Sequence, residues 1–245
     1  MSISDFAPVQ LSELIASAEF LERVDRKYPL HRHAAEAILD EFPTDTRILE
    51  INGRTDFGYT SVYFDTTAHD SYLMAARGRA HRFKVRVRQY RDSGDTFLEV
   101  KTRRGSGTVK QRVPHEGPSL FEIAPSQYNF ISECLSAGGV HGLRAAWLRP
   151  SLETSYTRTT LLARDGRARL TLDRDIVWSK NGRSLHAPRL VIVETKAGTA
   201  PSEADKTLWH HGYRPQRISK YATGLAAMHP GLPANRWHRT LQRYF

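Results

Sequence analysis

Cations at every second position carry the chemistry that this chain can do. From residue 82 to residue 113 it reads RFKVRVRQYRDSGDTFLEVKTRRGSGTVKQRV. Arg82, Lys84, Arg86 and Arg88 alternate with Phe83, Val85 and Val87. Successive strand side chains point to opposite faces, so one face is apolar and the other is a row of charged groups. The next run sets Leu98 and Val100 against Glu99, Lys101 and Arg103, and a third adds Lys110 and Arg112 around Val109, Gln111 and Val113. Like charges facing one another across a sheet repel, so the pattern predicts a polyanion that holds them together. An arginine fork grips two oxyanion oxygens at once, whereas a lysine is a compact, movable point charge.

The elements that position these groups follow from the turn chemistry. Asp92-Ser93-Gly94-Asp95 and Arg104-Gly105-Ser106-Gly107 separate the three runs into a meander. Upstream, Phe20 to Leu30 reads as a strand with Arg23, Asp25 and Lys27 on one face. Residues 8 to 18 and His31 to Phe42 read as helices, the second ending before Pro43. Ile48 to Ile51 and Tyr59 to Phe64 read as strands, and Asp65 to Arg79 as a connection with a helical centre. Downstream, Pro125 to Ala137 is helical, and strands follow at Leu152 to Ala163, Arg167 to Trp178 and Arg189 to Lys196. Asp165-Gly166 and Asn181-Gly182 mark turns; Pro201 to His210 and Ser219 to Met228 read as helices. The sum is eight or nine mostly antiparallel strands with helices between them, an α+β chain whose strands could close into a barrel.

The alternation recurs in the second half. Arg169, Thr171 and Asp173 oppose Leu170 and Leu172; Ile192, Glu194 and Lys196 oppose Val191 and Val193; Arg158 lies between Tyr156 and Thr160. A sandwich with a solvated outer face alternates too, but with mixed signs and with Ser, Gln and Glu. The polar faces here are overwhelmingly cationic, which favours a ligand-lined interior.

Composition agrees. The 245 residues carry a net charge of +10, which favours an anionic partner. Of 36 basic residues 8 are lysines, and six of these (Lys27, Lys84, Lys101, Lys110, Lys196, Lys220) fall at strand or motif positions. The one cysteine, Cys134, cannot form an internal disulfide, no signal peptide is visible and no apolar run is long enough to span a bilayer, so a soluble cytoplasmic protein is expected. His31-Arg32-His33 and His210-His211 read as surface histidines. RGSGTVK lacks the spacing of a P-loop, and Trp237, Tyr244 and Phe245 read as core caps. Residues 1–245 are expected to form a single domain, its core from about residue 20 to residue 228 and its tail at 229–245.

The ordered set ERVDRKYPL, SVYFDT, KVRVRQY, FLEVKTRR, VKQR, YTRTTL, RLTLDRDI, VIVETK and SKYATG resembles the VTC domain. That domain is the polyphosphate polymerase module of the vacuolar transporter chaperone complex, within the CYTH-like triphosphate tunnel metalloenzyme superfamily. The resemblance runs from about Phe20 to Gly224. It implies an eight-stranded antiparallel β-barrel, a triphosphate tunnel with flanking helices, that binds ATP and inorganic polyphosphate or tripolyphosphate. Lys27, Arg86, Arg88, Lys101, Lys110, Arg158, Arg169 and Lys220 match the family's phosphate-binding cations, with Arg77, in competition with Arg79, ahead of them. Lys84 joins this set from the strand pattern. Glu194 matches the metal-binding glutamate, with Asp25, Glu99 and Asp173 as further oxygen donors for Mn2+ or Mg2+. Lys101, Arg86, Arg88 and Lys220 are the expected catalytic cations.

There are departures from the family pattern. Asp25-Arg26-Lys27 stands where the family usually has E-R-K, the hydrolases' ExExK signature is absent, and Arg217 stands where a lysine is common. The expected function is transfer of the ATP γ-phosphate to a growing chain by a free-standing catalytic-type domain. Hydrolysis of tripolyphosphate or nucleoside triphosphate, and non-catalytic binding of polyphosphate or RNA, are the alternatives. Val and Leu, rather than aromatics, interleave the cations, which disfavours nucleic acid.

Overall fold

In the computed structural model, which describes residues 6–16, 24–104 and 107–245, the alternating runs become one curled sheet with helices on both of its sides. The strands are β1 (Ala7–Val9), β2 (Val24–His31), β3 (Arg47–Leu49), β4 (Asp56–Asp65), β5 (Arg82–Tyr90), β6 (Thr96–Arg104), β7 (Gly107–Pro114), β8 (Arg149–Leu162), β9 (Arg169–Lys180), β10 (Arg183–Ala187) and β11 (Leu190–Ala197). The helices are α1 (Leu11–Ala16), α2 (Arg32–Leu39), α3 (Asp70–Ala76), α4 (Tyr128–Ala137), α5 (Glu203–His210), α6 (Lys220–Met228) and α7 (His238–Tyr244). Eight strands run across the sheet in the order β2-β11-β9-β8-β4-β5-β6-β7, every neighbour antiparallel.

The α+β class and the eight-stranded antiparallel order are as expected. Closure takes a different form: among the described residues β2 and β7 share no ladder, so the sheet is a half-barrel. Its curl is deep nonetheless. Lys101 on β6 lies 3.9 Å from Asp25 on β2, although five strands separate them in the sheet.

Burial explains the curl. On the convex side, Val62, Phe64, Phe83, Val85, Val87, Leu98 and Val100 pack against Ile131, Cys134 and Leu135 of α4. Tyr28, Leu30, Leu170, Leu172, Val191 and Val193 pack likewise against α2 and α5. Each such side chain contributes about 1.5–3 kcal/mol when fully buried, so the apolar faces turn outward onto helices and the cations turn inward. The concave face changes character along its length. At one end Leu152, Ile176, Trp178, Leu190 and Ile192 meet α6 and Trp237, and the tail caps the core as expected, with Tyr244 donating to the Pro29 carbonyl at 2.6 Å. The charged stretch occupies the rest.

Local differences from the sequence reading have physical causes. Asn181 and Gly182 have positive φ (50° and 73°), the left-handed pair of a two-residue hairpin that joins β9 to β10, a strand the alternation did not reveal. The ladder of β8 on β9 shifts between Ser155 and Thr157, opposite a left-handed Asp175 (φ 54°). That extra residue turns Ile176 and Trp178 onto the same face as Arg169, Thr171 and Asp173. The expected helix at 8–18 is a short strand followed by α1, and Phe20 to Arg23 lie outside the described residues.

Gly224 sets how deeply α6 seats. A Cβ built there would fall 2.1 Å from the fully buried Trp178 indole, whose Nε1 donates to the Lys220 carbonyl at 2.7 Å. Gly224→Ala should therefore destabilise the fold by about 2–3 kcal/mol, as overpacking does. Urea denaturation measures this, and an unchanged midpoint would mean that α6 can slide without loss.

Candidate functional site

The meander places its cations in register. Lys84, Lys101 and Lys110 lie directly opposite one another across β5, β6 and β7, and Arg86, Glu99 and Arg112 form the next rung. Three lysines in a row would splay the strands if nothing answered their charge. Lys110 is answered by Glu99, 2% exposed, which accepts from Arg86 Nε at 2.6 Å and lies 2.5 Å from Lys110 Nζ, and Lys101 by Asp25 at 3.9 Å. Burial alone would raise the Glu99 carboxyl; Arg86, Arg88 and Lys110 outweigh it and hold the group far below the usual carboxylate range.

The opposite wall repeats the device. Asp173 on β9, fully buried, accepts both prongs of Arg158 at 2.6 and 2.8 Å and also pairs with Lys220 at the start of α6. Glu194 on β11 takes Lys27 Nζ at 2.6 Å; burial would raise this carboxyl, and Lys27, Lys196 and Arg158 together hold it well below its ordinary range. Lys196 stands opposite Asp25 on one side and Arg169 on the other.

Four tyrosines and a serine complete the floor. Arg88, 6% exposed, donates to Ser61 Oγ at 3.2 Å and Tyr156 Oη at 2.8 Å, with its guanidinium 5.3 Å from the Tyr59 ring centre. Arg86 donates to Tyr63 Oη at 3.2 Å, and Lys220 Nζ lies 4.2 Å from the Tyr156 ring. Tyr63 stacks on Tyr221 at 5.0 Å. Sequence reasoning set Tyr156 beside Arg158 but gave none of these residues a role in the site. Their signal was the inward parity of Tyr59, Ser61 and Tyr63, which a pattern tuned to charge passes over.

Of the expected site residues, Lys27, Lys84, Arg86, Arg88, Lys101, Lys110, Arg158 and Lys220 converge on the concave face, and Arg169 flanks them beside Lys196. Arg77 is the exposed C-cap of α3. Arg82 instead continues the ladder opposite Arg103, and Arg217 and Arg236 approach closely enough to lower the Arg82 guanidinium once burial has done so. Arg236 itself lies over Gly78.

Of the expected metal ligands, Glu194 and Asp25 sit diagonally across the β2–β11 pair. Asp173 has both oxygens engaged by Arg158 and Lys220. Among the described residues no group of three His, Cys, Asp or Glu side chains could hold a metal alone. His31 and His33 stack on each other at 5.9 Å, and no described helix is long and apolar enough to cross a membrane.

An α+β half-barrel with a cationic concave wall, its charges answered from within, is the class that fold and site define. The chain belongs to the VTC-domain family, whose model matches residues 22–229. A search of curated proteins finds no match. Solved structures with a similar outline include the protein bh2851 of Bacillus halodurans, a candidate adenylate cyclase (12% identity, 78% of this chain and 88% of that one, TM-score 0.47). Another is PH1819 of Pyrococcus horikoshii (13% identity, 83% and 98%, TM-score 0.45). A third is HpAC1 of Hippeastrum, described with a dominant triphosphatase activity (14% identity, 82% and 94%, TM-score 0.44). At such likeness no chemistry transfers.

The lysines carry a pH signature. Burial, then Lys101, Lys27 and Arg86, push Lys84 down to about 7; burial also brings Lys196 to about 7, against the pull of Glu194. Below pH 7 both are charged in the folded and unfolded chain, and the fold bears the full penalty. Between pH 7 and the ordinary lysine value of 10.5 the folded chain has shed protons that the unfolded chain keeps, so stability rises with pH. Without phosphate, the melting temperature should climb from about pH 7 to 9. Lys84→Met should raise the value at neutral pH and flatten the climb; a flat wild-type profile would overturn the assignment.

Proposed function

We propose that the concave face binds the phosphates of ATP and of a polyphosphate chain, and that the protein is a polyphosphate polymerase-type phosphotransferase. The observation that carries this reading is the pairing of inward cations with Glu99, Asp173, Glu194 and Asp25. Those carboxylate oxygens occupy the places a phosphate oxygen would take, and the cations are preorganised for it. In the transfer, an oxygen of the chain's terminal phosphate attacks the γ-phosphorus of ATP. The bond to the β,γ-bridging oxygen breaks, and ADP leaves with that electron pair. No protein nucleophile is needed; positioning and neutralisation suffice. Arg86 and Arg88 hold equatorial oxygens as forks, Lys101, Lys84 and Lys110 follow the chain as point charges, and Lys220 with Arg158 covers the far wall. Asp173 acts as a positioning residue for those last two.

The donor set suits a magnesium or manganese ion held in part by substrate. Such ions keep one or two carboxylates and take their other oxygens from phosphate and water, and Glu194 and Asp25 supply that number. Thr171, opposite Glu194 in the sheet, has a buried hydroxyl without a protein partner, so the spot can take one more polar ligand. The ion would neutralise charge on the phosphates.

A cationic rim suits a long anion: Arg103, Arg236 and Arg217 each act on Arg82. The test is incubation with γ-labelled ATP and manganese. Label in long polyphosphate supports polymerisation, label released as inorganic phosphate favours the hydrolase reading, and label left in ATP sinks both.

Two variants separate the roles. Glu194→Gln keeps the side chain's size and releases Lys27 from its partner, so tripolyphosphate binding without metal should persist or strengthen. Manganese should then no longer tighten that binding, and turnover should fall by about two orders of magnitude or more. Lys101→Ala should weaken binding and turnover together. Near-wild-type turnover with an intact manganese effect in Glu194→Gln would return that residue to a simple ion-pair role.

A further inference from the structure

Outside the phosphate-facing set lies a buried carboxylate with no part in the chemistry above. Asp65, 1% exposed, ends β4. Its Oδ1 accepts the backbone N–H groups of Thr66 and Ser71, both at 2.8 Å, and its Oδ2 accepts that of Tyr72 at 3.0 Å. These contacts lock the end of β4 to the first turn of α3. One donor comes from a distant element: the Tyr221 hydroxyl also donates to Oδ2. With its proton committed there, Tyr221 Oη accepts from Ser151 Oγ on β8, at 3.2 Å.

Tyr221 directly follows Lys220 and is itself 1% exposed. Its ring stacks on Tyr63, whose hydroxyl accepts from Arg86. The hydrogen bond between Asp65 and Tyr221 therefore ties the strand that carries Tyr59, Ser61 and Tyr63 to the helix that delivers Lys220. Lys220 has two rigid neighbours in the site, the Asp173 carboxylate and the Tyr156 ring. Its main chain is held by the Trp178 indole on its carbonyl and by the Ser219 cap, whose Oγ accepts the Ala222 N–H at 3.0 Å. Those contacts fix the height of the helix. Core packing of Ala222, Leu225 and Ala226 seats the helix, and the Tyr221 hydroxyl adds a directional restraint on its rotation, because Tyr221 and Lys220 diverge by roughly 100° around the axis.

We infer that Asp65 and Tyr221 are positioning residues: through their mutual hydrogen bond they fix the rotation of α6 and so aim the Lys220 ammonium at the phosphate-binding face. The effect on ligand binding rests on the function proposed above; the aiming of Lys220 does not. Burial lends the link its strength, since a charge-assisted hydrogen bond shielded from water is stronger than an exposed one. The three backbone donors keep the carboxylate oriented whether or not the hydroxyl is present, so removing the hydroxyl alone is a mild perturbation of the fold.

The test uses Tyr221→Phe, which keeps the ring on Tyr63 and deletes one oxygen. Two readouts are needed. The first needs no ligand: amine acylation followed by mass spectrometry reports the reactivity of Lys220 against that of exposed Lys206. In Tyr221→Phe, Lys220 should label several-fold faster with Lys206 unchanged. The second is tripolyphosphate affinity in a double-mutant cycle. Tyr221→Phe should weaken binding about tenfold in the wild-type background and by less than about twofold in a Lys220→Ala background. A purely structural role would lower both backgrounds equally. Asp65→Asn turns an amide NH2 against at least one of the backbone N–H groups of Thr66, Ser71 and Tyr72, so it should lower the melting temperature more than Tyr221→Phe does. Unchanged Lys220 labelling, or equal affinity losses in both backgrounds, would overturn the inference. Faster labelling in a protein whose wild type ignores tripolyphosphate would uphold the positioning role and overturn the proposed function instead.

Discussion

Repulsion among inward-facing cations is the constraint that the rest of this molecule answers to. Folding the apolar faces outward onto α2, α4 and α5 forces Lys27, Lys84, Arg86, Arg88, Lys101, Lys110, Arg158 and Lys220 toward a shared interior. The sequence alone points to a polyanion as the group that holds them. The structure supplies internal counter-charges. Glu99 joins β5, β6 and β7, Asp173 joins β8, β9 and α6, Glu194 joins β2 and β11, and Asp25 reaches across the open side to β6. These pairs add little net stability, because desolvation offsets their attraction. Losing one partner, by contrast, strands a buried charge at about 3–5 kcal/mol. Their contribution is geometric: each acid fixes the spacing of the cations around it.

That spacing is what a phosphate chain would exploit. A carboxylate oxygen and a phosphate oxygen make the same request of a guanidinium, so an arriving chain would meet cations already set at a usable spacing. Lys84 is the exception. The groups acting on it are all cationic, and it sits near pH 7 as a half-neutralised ammonium. A polyanion beside it would restore its full charge, so binding near neutral pH is coupled to proton uptake at that lysine.

What was legible in the sequence was whatever depends on near neighbours. Period-two alternation located the meander, and Asn181-Gly182 and Asp165-Gly166 located their turns, because strand parity and positive φ are set within a few residues. The concave cations were legible for the same reason: parity alone puts Arg86 and Arg88 on one face. Partnership was not legible. That Asp173 serves Arg158 and Lys220 depends on the shift at Ser155 and on how deeply α6 seats against Trp178, neither of which leaves a local trace. Asp65, followed by two threonines, reads as an ordinary loop acid; its role appears only when β4, α3 and α6 meet.

The unequal ends of the concave face explain why so much charge can be concentrated in one place. Where Leu152, Ile176, Trp178, Leu190 and Ile192 line it, α6 and the tail exclude water, and the nearby charges act through a poorly polarisable medium. Burial there raises both carboxyls, and Arg158 with Lys220 at Asp173, and Lys27, Lys196 and Arg158 at Glu194, outweigh it and hold them below their ordinary range. The N-terminal end of α6 adds its own partial positive charge at Lys220, pointing the same way as the side chain. Toward the other end Arg82 and Arg236 are half-buried, Arg217 is exposed, and these like charges act on one another. Anion attraction at that rim is long-ranged and screened by salt, whereas at the α6 end it is short-ranged and geometric. A phosphate chain held across both would be gathered by the first kind of interaction and aligned by the second.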